Sequence, residues 1–232
     1  MSTVLVFSLA VNFVILCLTV IFLFKGKRLV ARMVKKLIIN TRHRQIVSMF
    51  NAMPIIDQPI IMLGDSITEG ARWNELFDNP NIVNRGIGGD ISDGVLKRLD
   101  EVIRHRPRKL FLMIGTNDIG FGLDTQTIVR NIESILSQVK EQSPSTEIFV
   151  QSVLPVNISA SSPFPHNNKG ILRLNEQIKR QCAGLKIEYI DLHAHFLDAD
   201  GNLRSELTND GLHLLGAGYL LWKELIAKYL KN

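Results

Sequence analysis

Short apolar runs alternate along most of the chain with stretches whose hydrophobic residues recur at helical spacing. The runs are 59–64 (PIIMLG), 81–85 (NIVNR), 109–115 (KLFLMIG), 146–153 (TEIFVQSV) and 186–191 (KIEYID). Helical patterns occupy 91–104, 125–142, 168–183 and 216–230. Brief apolar strands separated by amphipathic helices predict an α/β fold with a parallel sheet covered on both faces. In such sheets ligands sit beyond the carboxyl ends of the strands, which gives the polar residues just after each run a special interest.

The start of the chain has a different pattern. Residues 4–24 (VLVFSLAVNFVILCLTVIFLF) carry no charge. About twenty apolar residues in a helix match the thickness of a bilayer, so this stretch predicts one transmembrane helix. The opening MST has no basic residue and the apolar core is long, which favours an uncleaved anchor over a signal peptide. The expected organisation is an anchor over 1–24, a basic juxtamembrane linker over 25–57 and one globular domain over 58–232.

Composition supports one ordinary domain with an appendage: 232 residues, of which 46% are hydrophobic. The net charge of +5 is unevenly placed. Lys25, Lys27, Arg28, Arg32, Lys35, Lys36, Arg42 and Arg44 all precede the first acid, Asp57. The remainder holds 19 basic and 22 acidic residues, so the chain is a basic collar on a slightly acidic domain. That distribution suits anionic lipid headgroups and argues against nucleic-acid binding. By the positive-inside rule the collar, and the domain after it, belong on the cytoplasmic side of a single-pass membrane protein. Cys17 and Cys182 are far apart and predict no disulfide framework.

Four polar segments fall at the strand ends or just before the last helix. Gly64-Asp65-Ser66 closes the first run, GIGGDIS (86–92) the second and GTND (115–118) the third, while DGLH (210–213) precedes the final helix. Each alone reads as turn or cap chemistry. Together they are complementary: a hydroxyl, a base to remove its proton, an acid to orient the base, and donors for an oxyanion. Ser66 supplies the hydroxyl, His213 the base and Asp210 the carboxylate. The Ser66 and Gly89 amides and the Asn117 side chain supply donors, and glycine at 89 permits close backbone approach.

These blocks resemble the SGNH hydrolases, also known as GDSL-type lipases and esterases, over residues 58–230. The motifs that match are Gly64-Asp65-Ser66, the glycine of Gly89-Asp90, Asn117 in Gly115-Thr116-Asn117-Asp118, and Asp210-x-x-His213. Within that family, WNELF, NIVNRGIGGD and VLKRL are most similar to the catalytic subunits of intracellular platelet-activating-factor acetylhydrolases. The resemblance implies a flavodoxin-like three-layer α/β/α sandwich with a five-stranded parallel sheet and removal of short acyl groups without cofactor or metal. Ile67 stands where the GDSL name has leucine. Expected substrates are esters of acetyl, short-acyl or lysophospholipid type. The alternatives are a carbohydrate O-deacetylase on the same site and an inactive membrane-tethered interaction module.

Competing motifs fit less well. Positions 86, 88 and 91 read Gly, Gly, Ile, which breaks a dinucleotide loop, and Thr68 breaks the G-x-S-x-G elbow. His193 and His195 have the spacing of metal ligands but lack further donors and read as loop residues. Trp73 and Phe77 read as packing, and 159–170 (SASSPFPHNNKG) as a loop beside the predicted site. The sequence leaves oligomeric state and acyl length open.

Overall fold

The computed structural model describes residues 41–158 and 167–231. The predicted span at 4–24 and the collar as far as 40 lie outside the described residues, as does loop segment 159–166. Among the described residues no helix is long and apolar enough to cross a membrane. One compact unit comprises Gln45–Asn232.

That unit is built on β1 (Ile60–Gly64), β2 (Ile82–Gly86), β3 (Lys109–Met113), β4 (Glu147–Gln151) and β5 (Glu188–Ile190), each overlapping its predicted run. All pairings are parallel, in the order β2-β1-β3-β4-β5. This is the strand order of flavodoxin-like sheets, which switches direction at β1. The central strands β1 and β3 are buried at every position. Covered on both faces, they read, after Lys109 at the start of β3, as unbroken apolar runs instead of alternating ones.

The helices are α1 (residues 41–52), α2 (Ser66–Glu69), α3 (Trp73–Leu76), α4 (Ser92–Lys97), α5 (Leu99–Ile103), α6 (Thr116–Gly120), α7 (Thr125–Gln142), α8 (Asn168–Leu185) and α9 (Gly216–Leu230). Right-handed crossovers put the β1–β2 connection on one face and the three later connections on the other. Accordingly α4, α5, α7 and α8 pack together. Opposite them, Trp73 of α3 meets Trp222 of α9 edge to face, with ring centres 4.8 Å apart. The result is three layers. The helical pattern over 91–104 is not one helix, because the backbone at Arg98 (φ −110°, ψ 13°) breaks it into α4 and α5.

Residues 45–57 lead into the start of β1 and are pinned to the unit. Phe50 is buried beneath the Arg85 guanidinium, 4.5 Å from its ring centre. Arg104 donates to the carbonyls of Phe50, Asn51 and Met53, satisfying acceptors left over where α1 ends. Ile56 N donates to His105 Nδ1 at 3.0 Å, leaving Nε2 facing Glu101 at 3.1 Å. Glu101 also accepts from Arg85 Nε, so the buried acid is paired on two sides.

Candidate active site

β1 ends at Gly64, and the chain turns at once into α2, whose first residue is Ser66. Asp65 caps this short helix, its Oδ1 accepting from Ile67 N at 3.0 Å. The turn is pressed against main chain. A side chain at Gly64 would strike the Met113 carbonyl, and one at Gly86 the backbone of Glu69 and Asp65. From β2, Asn84 Nδ2 donates to the carbonyls of Thr68, Glu69 and Ala71 while its Oδ1 accepts from Gly86 N. Tyr219 of α9 donates to Ile67 O at 2.9 Å. Ser66 therefore stands on a turn fixed from three directions.

Ser66 Oγ lies 2.9 Å from His213 Nε2, and His213 Nδ1 lies 2.6 Å from Asp210 Oδ2. The other carboxylate oxygen, Asp210 Oδ1, accepts from the amides of Leu212 and His213 at 2.9 and 2.8 Å. Partial burial raises the Asp210 pKa, but the His213 ring and the two amides outweigh it and hold it down at about 2. Gly211 takes a positive φ of 82°, and its carbonyl accepts from Asn157 N at 2.8 Å, tying this turn to the segment after β4.

Of the expected donors, Gly89 lies in the loop after β2 and Asn117 bonds to that loop. Gly89 has φ 78°, a left-handed conformation that suits glycine. Asn117, in α6 after β3, donates from Nδ2 to Asp90 O at 2.9 Å. The same nitrogen is 3.5 Å from Asp65 Oδ2, a long contact that holds its second proton weakly.

Three carboxylates lie buried behind these groups: Asp65, Asp90 and Asp118. Burial drives Asp65 up to about 7; Ile67 N opposes the rise, and the charges of Asp90 and Asp118 add to it. Burial likewise raises Asp118 to about 6, against bonds from Ser92. Asp118 accepts from Ser92 N and, at 2.5 Å, from Ser92 Oγ, so it caps α4 from α6. Asp90 is matched by Arg98 Nε at 2.8 Å.

The structure thus brings together Ser66, Asp210 and His213, and places Asn117 beside the Gly89 loop. Trp73 and Phe77 pack as expected, stacked with ring centres 6.4 Å apart. His193 and His195 form a 3-10 turn, and the His193 ring is buried. Among the described residues no group of three or more His, Cys, Asp or Glu could hold a metal ion. Residues 168–170 of the expected loop belong to the first turn of α8, capped by Asn167. Ser92 and Asp118 lie in polar segments singled out from the sequence, and Asp118 caps a helix as turn or cap chemistry there suggests; the supports Asn84 and Arg98 escape sequence reasoning, the one local signal being the polar pair Asn84-Arg85 inside β2.

Comparison with known proteins agrees with this geometry. Residues 62–221 match the GDSL-like Lipase/Acylhydrolase family. The bovine (Bos taurus) platelet-activating factor acetylhydrolase IB subunit alpha1 is 30% identical over 167 residues, 69% of each chain. A Streptococcus pneumoniae structure described as a platelet activating factor superposes with a TM-score of 0.80 at 30% identity, covering 87% of this chain and 98% of that one. A GDSL-like lipase from Bacteroides thetaiotaomicron gives a TM-score of 0.69 at 25% identity, over 81% and 96% of the two chains. On this match and this relative, the chain belongs to the GDSL-like lipase/acylhydrolase family and is a hydrolase acting on esters.

Proposed function

We propose that the chain is a serine esterase in which Ser66 is the nucleophile, His213 the general base and Asp210 the residue that orients it. The observation that carries this reading is the unbroken path Ser66 Oγ to His213 Nε2 and His213 Nδ1 to Asp210 Oδ2. His213 takes the Ser66 proton as Oγ bonds to the ester carbonyl carbon. The carbonyl oxygen becomes an oxyanion, held by the Ser66 and Gly89 amides and by Asn117 Nδ2. Collapse breaks the ester C–O bond, and the His213 proton goes to the departing alkoxide. Water, deprotonated in turn by His213, then releases the acid and restores Ser66. No step calls for a cofactor or metal.

The substrate we infer is an acetyl, short-acyl or lysophospholipid-type ester. The relatives' names support it, and so do exposed apolar residues near the triad. Leu215 lies two residues after His213, and Ile158 follows Asn157, which bonds Gly211. Phe121 follows α6, its amide bonded to Asn117 O. Large apolar groups left exposed around reactive ones suit an amphiphile. Turnover of p-nitrophenyl esters of increasing chain length, beside a lysophospholipid and an acetylated sugar, tests this. Preference for the sugar would make the chain an O-deacetylase; no turnover of any ester would make it an inactive module.

A single-pass membrane location, with the domain on the cytoplasmic side, is the companion proposal. Its support is the apolar stretch at 4–24, the basic collar, and the exposed Met49, Met53, Ile55 and Ile56 in a segment, 45–56, that contains no charged residue. Protease protection of the full chain in sealed vesicles decides the side.

A further inference from the structure

We propose that Arg98 is a positioning residue that sets the spacing between the nucleophile turn and the oxyanion loop; the proposal rests on the roles given above to Ser66, Gly89 and Asn117. The side chain is 1% exposed, and its fork reaches three separate pieces of the site. Nε donates to Asp90 Oδ2 at 2.8 Å. Nη2 donates to Gly64 O at 3.1 Å, two residues before Ser66, and to Arg85 O at 2.9 Å, near the end of β2. Asp90 follows Gly89, and its own carbonyl receives Asn117 Nδ2. One rigid guanidinium therefore joins the end of β1, the end of β2 and the loop that organises the oxyanion donors.

The break between α4 and α5 is what lets Arg98 do this. At φ −110° and ψ 13° the residue leaves the helical path, and its side chain is buried under the strand ends instead of projecting to solvent with its neighbour Lys97. Stability alone is a weak explanation for such a group. A buried ion pair roughly breaks even against apolar residues of the same volume. Among the described residues the buried Nη1 nitrogen finds no hydrogen-bond partner, which adds a cost. The return is geometric: oxyanion donors act only within about 2.7 to 3.1 Å of the developing charge, and a planar five-donor fork fixes distances that a flexible ammonium does not.

The test is kinetic and uses the full chain, with rates expressed per folded molecule. Arg98→Lys keeps the charge facing Asp90 but loses the fork. It is expected to lower kcat about ten- to a hundredfold with KM within about twofold, and to leave the shape of the pH profile unchanged, because the Ser66–His213–Asp210 path is untouched. In an Asn117→Ala background the same change is expected to cost at least about threefold less, since part of what Arg98 positions is already gone. A full, multiplicative loss in that background, or an Arg98→Lys rate equal to wild type per folded molecule, overturns the proposal. Asn117→Ala and Ser66→Ala alone report on the underlying reading: if neither slows turnover, the site assignment fails. If both do and Arg98→Lys does not, only the positioning role fails.

Discussion

His213 Nε2 approaches Ser66 Oγ to 2.9 Å across 147 residues of sequence. The two side chains arrive from opposite ends of the domain, one on the turn after β1 and the other on the turn before α9. Their contact is the shortest statement of what the fold accomplishes, and it fixes the first expected outcome.

Replacing Ser66 with alanine removes the proposed nucleophile, while the turn stays held by Asp65, Asn84 and Tyr219. Hydrolysis is expected to fall by about a thousandfold or more with an unchanged melting temperature. Labelling by a fluorophosphonate, strong in the wild type and absent in Ser66→Ala, checks the same point by mass spectrometry. Turnover within tenfold of wild type would exclude Ser66 as the nucleophile.

Asp210 and His213 are expected to differ in severity. His213→Ala leaves no base, whereas Asp210→Asn keeps an oxygen for the Leu212 and His213 amides and loses the charge that orients the ring. The asparagine variant should retain more kcat than the alanine one. Held near 2, the Asp210 carboxylate is depressed below its unfolded value, so what it contributes is complete above about pH 4 and lost only toward pH 2. Any loss of activity between pH 5 and 7 therefore arises from another group, and pH–rate profiles of wild type and Asp210→Asn compare the two.

Asn117→Ala is expected to lower kcat about a hundredfold with little change in KM, because its amide is offered to a charge present only in the transition state. If the loss falls on KM instead, Asn117 binds ground-state substrate.

Asp65 makes a prediction about stability. Its carboxyl is raised to about 7 in the folded chain, so the folded state keeps a proton that the unfolded state gives up near pH 4. For this group stability is greatest below about pH 4 and declines as pH rises toward 7, by up to about 4 kcal/mol. Asp118, raised to about 6, slopes the same way. Asp65→Asn should flatten much of that decline in urea melts taken from pH 4 to 8 and leave the part due to Asp118. An unaltered slope would mean Asp65 is ionised throughout.

Much of this architecture is legible in the sequence because burial on both faces writes itself into a strand as an unbroken apolar run. β1 and β3 carry such runs, and α7 and α9 occupy the residues their periodicity marks. The residues proposed as a triad stand out in the sequence because four polar segments of complementary chemistry fall at strand ends or just before the last helix. The framework behind them does not. Arg98 bonds to partners 8, 13 and 34 residues away, and Asp118 caps a helix 26 residues earlier. Local pattern carries no record of such partners, and Arg98 reads as one more polar position in a continuous helix until the sheet puts Gly64 and Arg85 beside it. Phe50 is likewise just one apolar residue in an uncharged stretch until Arg85 covers it.

The order of the parts along the chain has a consequence for biosynthesis. The proposed nucleophile and oxyanion donors and the five strands of the described sheet precede residue 191, whereas His213, the proposed base, lies on the turn just before α9, whose Trp222 reaches Trp73 and Gln151. A growing chain on the ribosome would thus hold its strands and an unarmed serine until the turn carrying Asp210 and His213 emerged. Esterase activity would then appear late and abruptly during synthesis, and a chain truncated before Asp210 would be silent however well its sheet had formed.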